Sequence, residues 1–122
     1  MKKNLKLAEM ETQFADLIWE REPIESPELV KLTERELKWK KSTTYTVLKR
    51  LCEKGIFKNE NAVVTALIKK DEFYAEQSHN YVEETFEGSL PKFFAAFIRK
   101  GKLNAKQAEE LKRLIDEHKD EE

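Results

Sequence analysis

Ser42, Thr43, Tyr45, Thr46 and Lys49 can all hydrogen-bond, and they fall within one short segment with helical spacing. Hydroxyls both donate and accept. The threonine methyls and the tyrosine ring can also touch a thymine methyl. Val47, Leu48 and Leu51, with Thr44 one turn earlier, mark the opposite side as a buried stripe. Lys40 and Lys41 precede the segment, and Arg50 and Lys54 close it. An apolar back with a hydroxyl-rich, cationic front suits a helix lying in the major groove of DNA. Taken alone, the same pattern also suits a solvated helix face carrying extra charge.

Other chemistry is poorly represented. His79 and His118 stand apart on polar helix surfaces, without cysteine or histidine partners at ligand spacing, so no metal is expected. There is no glycine-rich phosphate loop, nucleophile elbow or paired-acid motif. The acidic clusters of residues 109–122 read as a solvated helix face. The chain is read as a non-enzyme that needs no cofactor. The single cysteine, Cys52, cannot form an internal disulfide and reads as a small packing residue.

The 122 residues allow one ordinary domain or two small ones completed by a partner chain. Charged residues make up 39% of them, more polar surface than a compact monomer needs. Three glycines and three prolines argue against a loop-rich or all-β fold. No apolar run is long enough for a membrane span, and no apolar signal region opens the chain, so a cytoplasmic protein is expected. The net charge of −1 conceals an asymmetry. Residues 31–58 hold nine Lys/Arg against three Glu, a net of +6. The remainder is acidic, so a polyanion is expected at one face only.

The positioning elements follow from pattern. A first helix spans about Leu7 to Glu20 with a stripe of Leu7, Met10, Phe14, Leu17 and Ile18, and Pro23 stops it. Ile24 can form a brief strand. Ser26-Pro27-Glu28 reads as a helix start, with serine as the cap. The second helix carries Leu29, Val30, Leu32 and Leu37, and Trp39 plugs the turn that follows. The third helix runs from about Ser42 to Glu53-Lys54-Gly55, with Gly55 as the left-handed cap. A tight turn between two such helices is a helix-turn-helix. Ile56-Phe57-Lys58 and residues 62–68 then form a short hairpin around Asn59-Glu60-Asn61, a wing with little charge at its tip.

Charge reverses at Lys69-Lys70-Asp71. A polar fourth helix, about 71–87, has apolar residues too few and too spread to sit on a closed monomer core. Gly88 ends it and Ser89 caps a fifth helix rich in phenylalanine, with Gly101 after it. Asn104 and Gln107 resemble a capping box for a sixth, and residues 120–122 should fray. The expected fold is mainly α with a small β-hairpin: a winged helix-turn-helix domain over residues 1–70 and a three-helix dimerisation domain over 71–122. Some 50 residues rarely bury enough surface alone. Tyr81, Phe86, Leu90, Phe93, Phe94, Phe97, Ile98, Leu111, Leu114 and Ile115 are the expected contacts with a second copy. Folding back onto the amino-terminal core is the alternative.

Four blocks carry a family resemblance across nearly the whole chain. They are Leu7-Ala8-Glu9-Met10-Glu11 leading to Leu17-Ile18-Trp19-Glu20; residues 42–55; Phe86-Glu87-Gly88-Ser89-Leu90; and Phe94-Ala95-Ala96-Phe97 with Lys102-Leu103 and residues 108–115. Together they resemble the penicillinase/methicillinase repressor family of Gram-positive bacteria. The helix-turn-helix block is shared by many regulators; the Phe-x-Gly-Ser block and its sequel are more specific. The resemblance implies a homodimeric transcriptional repressor on a dyad-symmetric, double-stranded DNA operator. It also implies, in one branch, a sensor-linked protease that cuts in the dimerisation domain. By alignment the bond is Ala96–Phe97, with alanine standing where cleaved members have asparagine. No cysteine follows Cys52, so the copper-sensing Cys-x-Cys pairs of another branch are missing. Thr12 replaces a common tryptophan, the wing is shorter than usual, and its returning strand is Ala62-Val63-Val64 rather than tyrosine-rich.

On this reading Ser42, Thr43, Tyr45, Thr46 and Lys49 face the major groove, while Lys40, Lys41, Arg50 and Lys54 grip phosphates. A winged-helix module that binds protein without specific DNA affinity is the other reading; the basic run at 31–58 weighs against it.

Overall fold

The computed structural model describes residues 7–120. Six helices and one small sheet follow in the order α1 (Glu9–Arg21), β1 (Ile24–Glu25), α2 (Ser26–Leu37), α3 (Lys41–Glu53), β2 (Phe57–Glu60), β3 (Val63–Ala66), α4 (Lys70–Thr85), α5 (Leu90–Ile98) and α6 (Ala105–His118). The chain divides into two compact units, one ending at His79 and the other beginning at Asn80.

In the first unit, α1 contributes Phe14, Ala15 and Ile18 to the core, α2 Leu29 and Leu32, and α3 Val47, Leu48 and Leu51. Their spacing gives each helix one apolar stripe, so three helices close around a single interior. The stripe of α1 is rotated from the expected one. Met10 is 57% exposed, while Glu11 is buried beside Phe14. Trp39 fills the angle between α2 and α3, its ring centroid 5.2 Å from that of Phe14. The turn is made by Lys38 in the left-handed region (φ 59°), and Trp39 N–H closes back on the Thr33 carbonyl at 3.3 Å. Gly55, at φ 84°, ends α3 as the sequence suggests.

Ser26 is not the cap of α2. Glu25 occupies that position without a side-chain bond, and Ser26 is buried in the first turn. Its N–H donates to the Ala62 carbonyl at 2.8 Å, which ties α2 to the sheet instead.

The sheet is antiparallel in the order β1-β3-β2, with Ile24 opposite Val64 and Phe57 opposite Ala66. The brief strand at Ile24 therefore forms and pairs with the returning strand of the wing. The hairpin is tighter than expected. Asn59 and Glu60 belong to β2, and the turn lies at Asn61 and Ala62, both with positive φ (52° and 64°). Two such residues make the primed turn whose twist matches paired strands.

Phe73 corrects the reading of α4. It is 2% exposed and belongs to the amino-terminal core. Trp19 accounts for this: its ring lies 5.4 Å from Phe57 and 5.3 Å from Phe73, and its indole N–H donates to the Ile68 carbonyl at 3.0 Å. Glu22 completes the seam, accepting from Ala66 N–H at 2.8 Å and pairing with Lys69 at 3.1 Å.

The second unit is built differently. Among the described residues from 80 onward none is buried. Tyr81, Phe86, Phe93 and Phe97 form an aromatic chain with centroids 5.6–6.2 Å apart. Glu87 and Gly88, both at positive φ, reverse the backbone after α4. Ser89 caps α5, accepting from Lys92 N–H at 3.2 Å. Helix α5 stops at Ile98, before Gly101, which does not take positive φ. Asn104 and Gln107 form the expected capping box on α6, with bonds of 2.8 and 3.4 Å. Of the residues expected to fray, Glu121 and Glu122 lie outside the described ones.

Candidate nucleic-acid interface

Helix α3 is held from behind. Thr44, 1% exposed, shares a 2.6 Å hydrogen bond with Thr33 of α2, which is fully buried. Thr33 Oγ1 also bonds the Val30 carbonyl at 3.1 Å, so its proton is committed there and Thr44 donates to it. With Val47, Leu48 and Leu51 in the core, this bond fixes both the rotation of α3 and its crossing with α2.

That rotation leaves Ser42, Thr46 and Lys49 exposed on one line, one helical turn apart, with Thr43 half-buried at its edge. Lys40 and Lys41, both exposed, stand at the start of α3, where no acidic residue balances them. A helix amino terminus already carries partial positive charge, so two cations there are unfavourable for the isolated helix and favourable for an anion. Lys40, Lys41 and Lys49 make no ion pair among the described residues.

Three expected contacts are placed elsewhere. Tyr45 turns inward, packing against the core, with its hydroxyl 3.4 Å from Ser26 Oγ. Arg50 and Lys54 point back toward α1. Arg50 Nη1 donates to Glu11 Oε2 at 3.0 Å, and Lys54 Nζ lies 3.6 Å from Glu11 Oε1. Both were expected on phosphates; a buried carboxylate holds them instead. Glu11 was missed as a functional residue, although its spacing from Phe14, Ala15 and Ile18 puts it on the buried stripe of α1. The wing adds little charge, since its Lys58 is paired with Glu60 at 3.4 Å.

Burial pushes the Glu11 carboxyl up, but the Ala8 N–H, the Arg50 guanidinium and the Lys54 ammonium more than offset this and hold it below its ordinary value of 4.5. The folded state therefore binds this proton more weakly than the unfolded chain does. The resulting stability is fully present above pH 4.5 and is lost as pH falls through the lower folded-state value. Glu11→Gln should accordingly cost stability at neutral pH. Its deficit relative to wild type should shrink in thermal melts taken below pH 4.5. A deficit independent of pH would contradict this.

In the second unit, Leu90, Phe97 and Ile115 are exposed by 62%, 58% and 62%. Tyr81, Phe94, Ile98 and Leu114 are exposed as well, while Phe86, Phe93 and Leu111 are half-buried. A groove of about 360 Å³ runs between α5 and α6, lined by Phe93, Phe94, Phe97, Leu103, Leu111 and Leu114 among others. Ala96 and Phe97 lie in the last turn of α5, so the bond between them is helical. Among the described residues there is no cluster able to hold a metal ion, and no helix is long and apolar enough to cross a membrane.

Three helices, a tight helix-turn-helix and a three-stranded wing define a winged-helix protein with an appended helical unit. The family model described as penicillinase repressor matches residues 7–117. A penicillinase repressor from Bacillus licheniformis is 25% identical over 123 aligned positions, covering 98% of this chain and 96% of the relative. The chain belongs to the penicillinase repressor family, whose members are transcriptional regulators and not enzymes.

Proposed function

We propose that the protein is a homodimeric repressor that lays α3 in the major groove of a dyad-symmetric operator. The observation that carries the reading is the exposed line of Ser42, Thr46 and Lys49, presented by a helix whose other side is locked in the core. Ser42, Thr43, Thr46 and Lys49 are the base readers, and Lys40 and Lys41 the phosphate contacts that set register. Dimerisation through α5 and α6 buries the apolar face that one copy leaves exposed. It sets two α3 helices about 34–36 Å apart, or a multiple of that, along one side of the duplex. On this reading the unit ending at His79 serves DNA and the unit from Asn80 onward serves pairing, a boundary later than residue 70 because Phe73 belongs to the amino-terminal core. The protein's place of work on this reading is the cytoplasm. A sensor-linked protease is a further partner; cutting Ala96–Phe97 would require the last turn of α5 to open.

Mobility shifts on the DNA upstream of the gene, across a salt series, test this. Thr46→Ala should weaken specific binding by about 1 kcal/mol or more and leave non-specific binding nearly intact. Lys41→Ala should weaken both, flattening the slope of log K against log salt by about 0.9. Weak, sequence-independent binding by the wild type would overturn the reading in favour of a protein-binding module.

A further inference from the structure

Among the described residues, Glu11 is the charged side chain that is buried, at 7% exposure. A buried carboxylate is costly even when paired, and an apolar residue of similar size often serves stability as well. Stability alone is therefore a weak reason for its presence on an otherwise apolar stripe. Its position gives a better one. It reaches from α1 to the far end of α3, accepts from Arg50 at 3.0 Å and stands 3.6 Å from Lys54. The cations of α3 thus form two sets. Lys40, Lys41 and Lys49 have no counter-charge among the described residues, whereas Arg50 and Lys54 share one.

We propose that Glu11 is a specificity-determining positioning residue: it holds Arg50, and with it Lys54, away from the DNA backbone. The inference rests on α3 docking on DNA as proposed above. Each cation on a phosphate adds affinity that is the same for every sequence and carries no base information. Arg50 follows Lys49 on α3 and its side chain is already half-exposed while paired, so release from α1 frees it to turn toward a phosphate. Glu11 therefore limits the sequence-independent share of binding, so that Thr46 and its neighbours decide where the protein stays. The carboxyl is held below its ordinary range, so the restraint is charged at neutral pH.

The test compares wild type, Glu11→Gln, Arg50→Gln and the double variant on specific and scrambled duplexes across a salt series, with thermal melts to confirm folding. Glu11→Gln keeps an acceptor for the Ala8 N–H and removes the charge. It should bind scrambled DNA several-fold more tightly, lower the ratio of specific to scrambled affinity, and steepen the salt slope by about 0.9 for each phosphate gained. Adding Arg50→Gln should abolish most of that gain. An unchanged or flatter slope in folded Glu11→Gln overturns the inference and leaves the repressor reading standing. Absence of sequence-specific binding by the wild type overturns both. Should Glu11→Gln fail to fold, Arg50→Gln decides: it should flatten the wild-type slope by less than half of what Lys41→Ala does. An equal loss would place Arg50 on a phosphate and overturn the inference.

Discussion

Phe97→Asp should convert the proposed dimer to a monomer without unfolding the chain. Phe97 is 58% exposed in the single chain; it ends the aromatic chain, its centroid 6.2 Å from that of Phe93, and lines the open groove between α5 and α6. Replacing it removes little packing within one copy. In a two-fold interface the same patch serves both partners, so each dimer would acquire two carboxylates in an apolar contact. Burying an unpaired charge costs several kcal/mol, more than a small interface can absorb. Operator binding should fall with it. Two linked reading heads gain about 10²- to 10⁴-fold over one, through effective concentration rather than new contacts. The variant should lose a factor in that range on the full operator and almost none on an isolated half-site. Sedimentation and mobility shifts measure the two effects. A variant that remains dimeric at micromolar concentration would place the interface elsewhere and refute this use of α5.

The parts legible in the sequence were those whose signals are local. Ser89 and Asn104 cap their helices through bonds to residues three positions on, a distance any reader of the chain can span. Gly55, Trp39 and the brief strand at Ile24 were likewise marked by residue type against a change of period. The hairpin was recognisable, but its turn was not. Alanine is a poor sign of positive φ, and Asn61-Ala62 lacks the glycine that would have marked a primed turn. Asn59 and Glu60, better turn formers, drew the turn two residues early.

The features missed depend on contacts distant in sequence. Phe73 is buried because Trp19 waits for it across the sheet seam. The character of α4 itself, polar over most of its length, gives no hint of that. Ser26 had the residue type of a cap, but the helix begins one residue earlier, with Glu25 in the cap position and the Ser26 N–H on the Ala62 carbonyl across the sheet. In α3, composition identified the exposed polar face but not its edges. Tyr45 and Arg50 flank the exposed line on either side, and only the packing of α1 and α2 shows that one is drawn to Ser26 and the other to Glu11.

The same limit governs stability. Met10 and Phe14 shared one expected stripe on α1, yet one is 57% exposed and the other fully enclosed. Phe14→Ala should cost about 3–5 kcal/mol, the transfer term of a phenyl ring plus the cavity it leaves. That is a large share of the 5–15 kcal/mol that holds a typical domain together, roughly. The loss falls at a sensitive place. Phe14 supports Trp39, and Trp39 fills the turn from which α3 departs. The surviving folded fraction should therefore lose specific DNA affinity beyond what its reduced population explains, because the setting of α3 is loosened. Met10→Ala should change stability by no more than about 0.5 kcal/mol. Urea titrations of both variants, with operator binding measured under conditions where each is fully folded, separate the two effects. Equal costs at the two positions would mean that α1 packs on the face its sequence first suggested, with Glu11 turned to solvent and Arg50 released.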